Sequence, residues 1–416
     1  MRSSALSFQN ALAATTERAP AAERSPDRNA VVRLSLTDFR CYDRVRIEAD
    51  TRPAVLVGPN GAGKTNLLEA LSFFVPGRGL RRARMSDVMR RGAAPAATPG
   101  LRWAVAATVM TPTGPVEVGT GYEASGEDED VGRRLVRVDG TTAKSQTVLG
   151  DMFAAIWLLP EMDRLFMEGA SERRRFLDRL VAAFDPSHGT RLNEYEQAMR
   201  ERTRLLRDER SGLRAADGGW IAALEQRMAE SGVALAAARR AFVQRLGAAC
   251  ALGVGPFPAA SVALAGDVES WLDGASALQA EDRLRDALAA SRAADREAGR
   301  ALVGPHRADI EVVHLQKGLP AATCSTGEQK ALLISIVLAH ARLVALDRGA
   351  APLLLLDEIA AHLDAERRAA LFDEISAIGS QAWMTGTDLS LFEAFGDRAQ
   401  YFRVESASVR PHAQSV

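Results

Sequence analysis

The chain has few of the features that mark secreted, metal-binding or membrane proteins. Its three cysteines, Cys41, Cys250 and Cys324, are scattered without metal-ligand spacing, which predicts a reducing cytosol and no disulfide framework. No apolar stretch reads as long and charge-free enough to span a bilayer. The net charge is −1, so a nucleic-acid-binding surface would have to be local.

Large apolar residues are also scarce in residues 1–30, which are rich in Ala, Ser, Arg and Pro. A signal peptide needs an apolar core, and this segment has none. We expect a disordered tail, or an artefact of an upstream start codon.

Lysine is rare as well, with four lysines among the 52 basic residues, and one of them lies in the most informative segment. Residues 58–65 read GPNGAGKT between the apolar run 54–57 and the segment NLLEAL at 66–71, which predicts a strand, a glycine loop and a helix. The pattern G-x-x-x-x-G-K-[ST] cradles phosphates, because glycines turn backbone N–H groups toward the anion and the helix dipole favours it. The predicted ATP-binding residues are Gly58, Pro59, Asn60, Gly61, Ala62, Gly63, Lys64 and Thr65. Lys64 is expected to reach the β- and γ-phosphates, and the Thr65 hydroxyl to bind Mg²⁺.

An apolar strand that ends in two carboxylates could complete this site. Residues 352–358 read PLLLLDE. Asp357 is expected to hold Mg²⁺ through water, and Glu358 to act catalytically by polarising a water aimed at the γ-phosphate. A buried strand followed by a solvated acidic turn is the alternative, and the preceding phosphate loop makes it the weaker one.

Upstream of this strand, the segment STGEQK begins an apolar helix predicted from Glu328 to about Leu346. An ordinary N-cap is one interpretation of Ser325, Gly327 and Glu328, and an anion site is the other. A phosphate loop, an S-x-G-E helix and an LLLLDE strand in this order resemble the ATP-binding-cassette constellation. In that class, the S-x-G helix of one subunit meets the γ-phosphate that the other subunit holds. Asp364 matches the loop that crosses such a dimer interface, and His362 is placed in the same loop.

The remaining pattern predicts an interrupted α/β domain. Residues 31–48 read as an antiparallel strand pair, and residues 101–140 as a small antiparallel sheet around an acidic loop at 127–130. Strands are also expected at 310–313, 353–356 and 381–385. The predicted domains are a tail (1–30), the head with the phosphate loop (31–170), a helical arm (171–299), the rest of the head (300–405) and a second tail (406–416).

Helical periodicity dominates the predicted arm. Apolar residues recur at helical steps in two stripes, and the stripes are too short for a long coiled coil. We interpret them as core positions in preference to a cofactor site. The two stripes are Leu192, Tyr195, Met199 and Leu206, and Ile221, Leu224, Met228 and Leu235.

These motifs, with several short segments, resemble the RecF family of DNA replication and repair proteins, relatives of the SMC and ABC ATPases. The segments are the FR strand at 36–42, RRRFLD at 173–178, GPHR at 304–307 and TGTD at 385–388. Three departures stand out. Ala308 follows GPHR where the family has an acidic residue, Thr387 stands near the place of a switch histidine, and no glutamine is assignable to a Q-loop near 158–161.

The resemblance implies an ABC/SMC-like ATPase head of the P-loop NTPase class, an α/β fold interrupted by an α-helical arm. It implies ATP and Mg²⁺ as cofactors, ATP-dependent homodimers and weak, DNA-stimulated ATPase activity. It also implies a cytoplasmic role in recombinational repair and replication-fork maintenance, with no membrane. The implied partners are double-stranded or gapped DNA together with RecR and RecO, which help load recombinase at single-strand gaps.

Two other functions stay open at this point. One is the ATPase subunit of a membrane transporter, which the long insertion between Lys64 and Asp357 disfavours. The other is a non-hydrolysing, ATP-gated DNA clamp, which Glu358 disfavours. His306 is either a nucleotide sensor or a structural histidine, and the structural interpretation is preferred.

A basic segment after the phosphate-loop helix is the first candidate for DNA contact, and a solvated basic loop is the equal alternative. Arginine contacts to phosphate are independent of sequence, and the segment lacks the aromatic residues that stack on single-stranded bases. A second candidate is Arg173, Arg174 and Arg175. The residues of the first candidate are Arg78, Arg81, Arg82, Arg84, Arg90 and Arg91.

Overall fold

The computed structural model describes residues 29–91, 101–124, 132–211, 217–361 and 363–412. Contacts divide the chain into two compact units. The first unit comprises Met1–Met162 and Val344–Val416, and the second comprises Asp163–Leu343. The second unit therefore starts before the predicted arm and extends past it. The predicted domain boundaries stay predictions.

The first unit contains two six-stranded sheets. Their strands are β1 (Ala30–Phe39), β2 (Tyr42–Glu48), β3 (Ala54–Val57), β4 (Leu101–Thr111), β5 (Gly114–Ala124), β6 (Gly132–Val138), β7 (Thr141–Thr142), β8 (Ala155–Leu158), β12 (Leu353–Leu356), β13 (Ala382–Gly386), β14 (Gln400–Glu405) and β15 (Ser408–Pro411). One sheet is antiparallel, in the order β2-β1-β4-β5-β6-β7, and includes the predicted strand pair and the predicted small sheet. The other has the order β15-β14-β3-β13-β12-β8, in which all pairs except β14–β15 are parallel.

The parallel sheet explains how distant motifs meet. Its central strands β3, β12 and β13 are buried along their whole lengths, which accounts for their continuous apolar sequences. Carboxyl ends of neighbouring parallel strands lie at one sheet edge, where open α/β sheets place their ligands. The phosphate loop follows β3, Asp357 follows β12, and Thr385 lies near the end of β13. Helices of this unit are α1 (Lys64–Ser72), α2 (Thr147–Met152) and α9 (Ala365–Ile378).

The second unit is mainly helical, as its periodicity predicts. Its elements are α3 (Ala170–Phe184), α4 (His188–Arg210), α5 (Gly218–Ala251), β9 (Ala260–Ala265), α6 (Asp267–Trp271), α7 (Ala277–Ala298), β10 (Asp309–His314) and β11 (Leu319–Pro320). The three strands form a sheet in the order β11-β10-β9, and β9 lies inside the segment predicted to be a helical arm. Strand β9 is alanine-rich, and its sequence gives no indication of a strand. Its backbone hydrogen bonds are made with β10. Helix α8 (Thr326–Arg348) starts in this unit and ends in the first.

The apolar stripes of α4 and α5 are core positions, as predicted. Tyr195, Leu224, Met228 and Leu235 belong to one buried cluster that also includes residues of α7. The remaining stripe residues pack against this cluster or are themselves at most 3% exposed. The stripes are therefore explained by burial of apolar surface.

Helix α8 corrects one expectation. By length and composition it could cross a membrane, although no stretch of that kind was expected from the sequence. In the structure, 78% of its apolar window is buried inside the protein, which is the behaviour of a core helix. Its apolar character is accounted for by packing against the protein interior.

Buried charges join the helices of the second unit. Arg202, which is fully buried, donates to Glu225 at 2.9 Å, to Asp295 at 2.6 Å and to the Leu288 carbonyl oxygen at 2.7 Å. These contacts tie α4 to α5 and α7. A buried charge needs such partners, because its desolvation is otherwise uncompensated.

Candidate nucleotide-binding site

The phosphate loop depends on close backbone packing. Gly63 has φ 110°, and a Cβ there would lie 2.6 Å from the Tyr42 hydroxyl and 2.8 Å from Cys41 Sγ. A Cβ on Gly58 would lie 2.0 Å from the Val404 carbonyl oxygen. Only glycine fits at either position, so the motif glycines are required by this chain's own packing as well as by their predicted ligand.

Lys64 is held over the loop that precedes it. Its ammonium donates to the carbonyl oxygens of Gly58 at 2.6 Å and Pro59 at 2.9 Å, and the residue is 5% exposed. Burial lowers the pKa of Lys64, while the carboxylates of Glu358 and Asp357 act in the opposite direction. The lysine is thus a cation with little water around it, at the place where the motif predicts phosphates.

Thr65 and Asp357 lie 292 positions apart in the sequence and are in contact in the structure. The Thr65 hydroxyl lies 3.0 Å from both carboxylate oxygens of Asp357. Asp357 also accepts from the Thr385 hydroxyl at 2.7 Å, and Thr385 Oγ1 in turn accepts from the backbone N–H of Glu358 at 2.9 Å. The buried Thr385 side chain therefore links both carboxylate positions. Thr385 lies in the TGTD segment, whose sequence alone predicted no role for it.

Glu358 has an unusual backbone conformation. Its φ is 49°, in the left-handed region that costs a residue with a Cβ about 1–2 kcal/mol. Its N–H bond to Thr385 holds it there. Strained conformations of this type cluster at functional sites, and here the strained residue is the one predicted to polarise water.

The donor set fits Mg²⁺. The Thr65 hydroxyl and the Asp357 carboxylate are adjacent hard oxygen ligands, and Mg²⁺ commonly takes one or two carboxylates together with waters and substrate phosphates. Within the part of the chain that the structure describes, no group of three or more His, Cys, Asp or Glu side chains could hold a metal ion. Two protein ligands are enough for Mg²⁺, because phosphate oxygens and waters can supply its other ligands.

An ion pair stabilises the helix that follows the phosphate loop. Arg40, in the turn between β1 and β2, donates twice to Glu69 of α1, at 2.8 and 2.6 Å, and Glu69 is fully buried. Because Glu69 lies one turn after Thr65, this bidentate pair fixes the helix that carries the loop. Both segments were recognisable in the sequence, whereas their contact was not.

The S-x-G segment opens α8 at an exposed surface. Ser325 and Gly327 are exposed, and a Cβ on Gly327 would meet no described atom within 4 Å. Glu328 pairs with Lys317 and accepts from the Ser325 backbone N–H at 3.0 Å. These two bonds, Lys317 first, lower the pKa of Glu328 to about 2. Among the described residues of the chain, nothing requires glycine at position 327.

Asp364 caps a helix. Its carboxylate accepts from the backbone N–H of Arg367 at 2.8 Å, at the start of α9. This is a structural role, and the predicted place of Asp364 in a dimer interface stays a prediction. His362 lies outside the described residues, as do the acidic loop at 127–130 and most of the tail at 1–30.

The six arginines of the first DNA candidate have different surroundings. Arg81 donates to Asn66 and Glu69, and Arg90 pairs with Asp38 and Asp43 at 3.1 Å. The others are exposed, and two of them line a cavity of about 310 Å³. The four other arginines are Arg78, Arg82, Arg84 and Arg91, of which Arg78 and Arg84 line the cavity.

The RRRFLD and GPHR segments lie close together inside the second unit and are held by hydrogen bonds and ion pairs. Arg173 pairs with Asp309, the residue after Ala308, and Arg174 donates to the Ala308 carbonyl oxygen at 2.7 Å. Asp178 accepts two bonds of 2.8 Å from the buried Arg239, which also donates to the carbonyl oxygen of Pro305. Arg173 and Arg174 thus have internal partners.

His306 makes hydrogen bonds with both ring nitrogens. Nε2 lies 3.0 Å from the Ala301 carbonyl oxygen, and Nδ1 lies 2.6 Å from the Tyr195 hydroxyl. A carbonyl oxygen only accepts, so Nε2 carries the proton and Nδ1 accepts from the tyrosine. Burial lowers the pKa of His306, and nearby Arg174 and Arg307 lower it further. These contacts favour the structural interpretation of this histidine.

Known proteins resemble this chain over almost its whole length. Residues 30–405 match the family described as RecF/RecN/SMC N terminal domain. A DNA replication and repair protein RecF from Rhizobium etli is 50% identical over 386 residues, covering 92% of this chain and 99% of the relative. One from Allorhizobium ampelinum is 49% identical over 381 residues, covering 91% and 98%.

A solved structure shows the same fold. It is described as the recombination mediator protein RecF-ATPrS in the RecFOR pathway, and it superposes with a TM-score of 0.79 at 20% identity over 94% of this chain and all of that chain. The predicted ABC/SMC-type ATPase fold is thereby confirmed. Sequence identity near 50% over almost the whole length shows the family: the chain belongs to the RecF family of DNA replication and repair proteins.

Proposed function

We propose that the chain is a slow, DNA-stimulated ATPase that dimerises on ATP and acts on DNA in recombinational repair. The observation that carries the proposal is the meeting of Thr65, Asp357 and Glu358 at one sheet edge, with Thr385 linking the two carboxylate positions. Family membership and the likeness to a RecF-ATPrS structure support ATP as the nucleotide.

Each residue has a role that follows from its position. The loop 58–65 binds the triphosphate, with Lys64 neutralising the β- and γ-phosphates. Thr65 and Asp357 would hold Mg²⁺, which would supply positive charge to neutralise the triphosphate. Glu358 orients a water and accepts its proton as that water attacks the γ-phosphorus. Thr385 positions the Asp357 carboxylate and the Glu358 backbone through its two hydrogen bonds.

The S-x-G segment supports a composite site between two copies. Ser325 and Gly327 are exposed in the single chain, and among the described atoms Gly327 has open space where a Cβ would stand. A glycine that its own chain does not require is explained if another surface approaches closely there. We infer that this surface is the second copy's nucleotide, contacted by the Ser325 hydroxyl and the N-terminus of α8.

DNA and partner proteins extend the proposal beyond the nucleotide site. The basic segment 78–91 supports contact with duplex or gapped DNA through phosphates. The similar solved structure is placed in the RecFOR pathway, which supports RecR and RecO as partners in loading recombinase at gaps.

ATP turnover on defined DNA tests the proposed function. Steady-state hydrolysis would be measured without DNA and with duplex, single-stranded and gapped DNA of equal length. We expect slow turnover that duplex or gapped DNA increases several-fold. Binding of ATP and DNA without any turnover would instead identify an ATP-gated clamp, and turnover indifferent to DNA would contradict the repair role.

Replacing Thr385 by valine is expected to lower kcat by about tenfold to a hundredfold. The change removes a hydroxyl that bonds both Asp357 and the Glu358 backbone, and leaving buried polar groups unsatisfied costs about 1–3 kcal/mol. Single-turnover hydrolysis and ATP affinity would be compared with Thr113→Val, a surface change of the same kind. Wild-type hydrolysis in the Thr385 variant would contradict its positioning role.

Mixing two inactive variants tests whether the site is shared. Lys64→Ala and Ser325→Arg are each expected to abolish turnover, because each damages both sites of a homodimer. A heterodimer of the two has one doubly damaged site and one intact site, so mixing is expected to restore up to about a quarter of wild-type activity by random pairing. No restoration at any mixing ratio, with heterodimers detected by mass, would show that both motifs act within one chain or that a single site is insufficient.

A further inference from the structure

A second concave site lies inside the second unit. It is a cavity of about 530 Å³ between one face of α4, the segment 300–307 and Arg174 of α3. Six of its lining residues are arginines, and none of the described residues that line it is acidic. We call it the basic cavity; its arginines are Arg174, Arg200, Arg204, Arg207, Arg300 and Arg307.

Few of these positive charges are neutralised. Arg200 pairs with Glu196 at the surface, while Arg174 and Arg207 donate to backbone carbonyl oxygens. Within the described ranges, the guanidinium groups of Arg204, Arg300 and Arg307 have no carboxylate partner. Elsewhere in this unit arginines are closely paired, as Arg202, Arg239 and Arg292 are. Arg204, Arg300 and Arg307 are exposed, and their unpaired charges around one cavity make it strongly positive.

The cavity is electrostatically positive, and its inner part is half-buried at Arg174 and His306. Burial lowers the pKa of Arg174, and the charges of Arg239 and Arg307 lower it further. The imidazole of His306, which also lines the cavity, is held by hydrogen bonds at both nitrogens and has its pKa lowered in the same direction. Low-dielectric walls around charges of one sign focus their field on the space between them.

The arrangement suits a row of phosphates. Arg200, Arg204 and Arg207 occupy one face of α4 and span about 10 Å along its axis, at about 1.5 Å per residue. Three guanidinium groups in such a row can face about three adjacent phosphates of one chain. Guanidinium groups bind phosphate bidentately. The cavity volume is in the usual range for small-ligand sites, about 300–1,000 Å³, and its described lining includes no Phe, Tyr or Trp to stack on a base.

We propose that the basic cavity binds a run of about three adjacent phosphate groups, presented by a single nucleic-acid strand or by a free polyphosphate. The nucleic-acid source rests on the proposed function, because it requires that the chain act on DNA. The polyphosphate source does not. In both cases Arg204, Arg300 and Arg307 supply the charges that the described part of the protein leaves unpaired.

Two probes and two matched variants test the proposal on the full chain. The probes are inorganic tripolyphosphate, followed by calorimetry, and a labelled single-stranded oligonucleotide, followed by anisotropy across a salt series. Both are added after the phosphate loop has been saturated with a non-hydrolysable ATP analogue. The cavity variant is Arg204→Ala with Arg300→Ala. The control is Arg227→Ala with Arg410→Ala, which removes the same charge from two exposed arginines that have no ion pair among the described residues. ATP affinity is measured on the same proteins before the analogue is added and is expected to be unchanged.

The cavity variant is expected to bind tripolyphosphate about 100-fold more weakly, about tenfold for each arginine–phosphate hydrogen bond removed, while the control changes less than twofold. If a nucleic-acid strand is the source, oligonucleotide affinity falls as well and the slope of log affinity against log salt flattens by about 1.4. A decrease for tripolyphosphate alone identifies free polyphosphate. Equal binding by cavity and control variants, or no binding of either probe by the wild type, overturns the proposal. Wild-type binding of tripolyphosphate without oligonucleotide leaves the cavity in place but removes this DNA contact from the proposed function.

Discussion

Replacing Glu358 by glutamine is expected to slow ATP hydrolysis by about 10²–10⁴-fold while ATP still binds. Glutamine keeps the shape of the side chain but cannot accept the proton of the attacking water. The backbone position is set by the N–H bond to Thr385, which the substitution leaves intact. Single-turnover hydrolysis and equilibrium ATP binding would be measured on the same preparation.

The control for this prediction is Glu366→Gln, an exposed carboxylate in the first turn of α9. It changes the net charge equally and is expected to leave hydrolysis within about twofold, because a surface change away from the site has little effect. Hydrolysis by the Glu358 variant at the control's rate would show that another group activates the water.

Replacing Arg202 by methionine is expected to lower the free energy of unfolding by about 3–5 kcal/mol. The change leaves Glu225 without one of its two arginine partners and Asp295 without its arginine, and both carboxylates are at most 2% exposed. Uncompensated buried charges are among the most destabilising changes that a single mutation makes. Urea unfolding, followed by circular dichroism, measures the change.

Arg200→Met is the matched control two positions away on the same helix. Arg200 is exposed and its pair with Glu196 lies at the surface, where ion pairs contribute about 0–1 kcal/mol. A decrease below about 1 kcal/mol in the Arg202 variant would mean that water or rearranged side chains compensate the two carboxylates, and that the buried ion pairs are not what joins α4 to α5 and α7.

The parts of the fold that sequence predicted are those with local signals. The loop 58–65 carries its own glycine pattern, and β12 is a continuous apolar run ended by two carboxylates. The stripes of α4 and α5 repeat at helical spacing and are buried accordingly. In each case the chemical requirement lies within a few neighbouring residues, so a single sequence displays it.

The parts that sequence did not predict depend on contacts between distant residues. Thr385 acquires its importance only when β13 lies beside β12. The strand β9 has little β-propensity of its own and exists by pairing with β10. Arg81 looked like a free surface charge, and it pairs with Glu69 because the chain folds back onto α1. The basic cavity likewise assembles arginines from three segments that are far apart in sequence.

The mass of the Glu358→Gln chain in solution, with and without ATP, tests most directly whether ATP joins two copies. Two copies are expected to join if, as proposed above, the phosphate loop of one and the S-x-G helix of the other contact the same nucleotide. Light scattering at saturating ATP and Mg²⁺ is expected to give the mass of two chains, and removal of ATP the mass of one. A single-chain mass with ATP demonstrably bound would contradict the shared site.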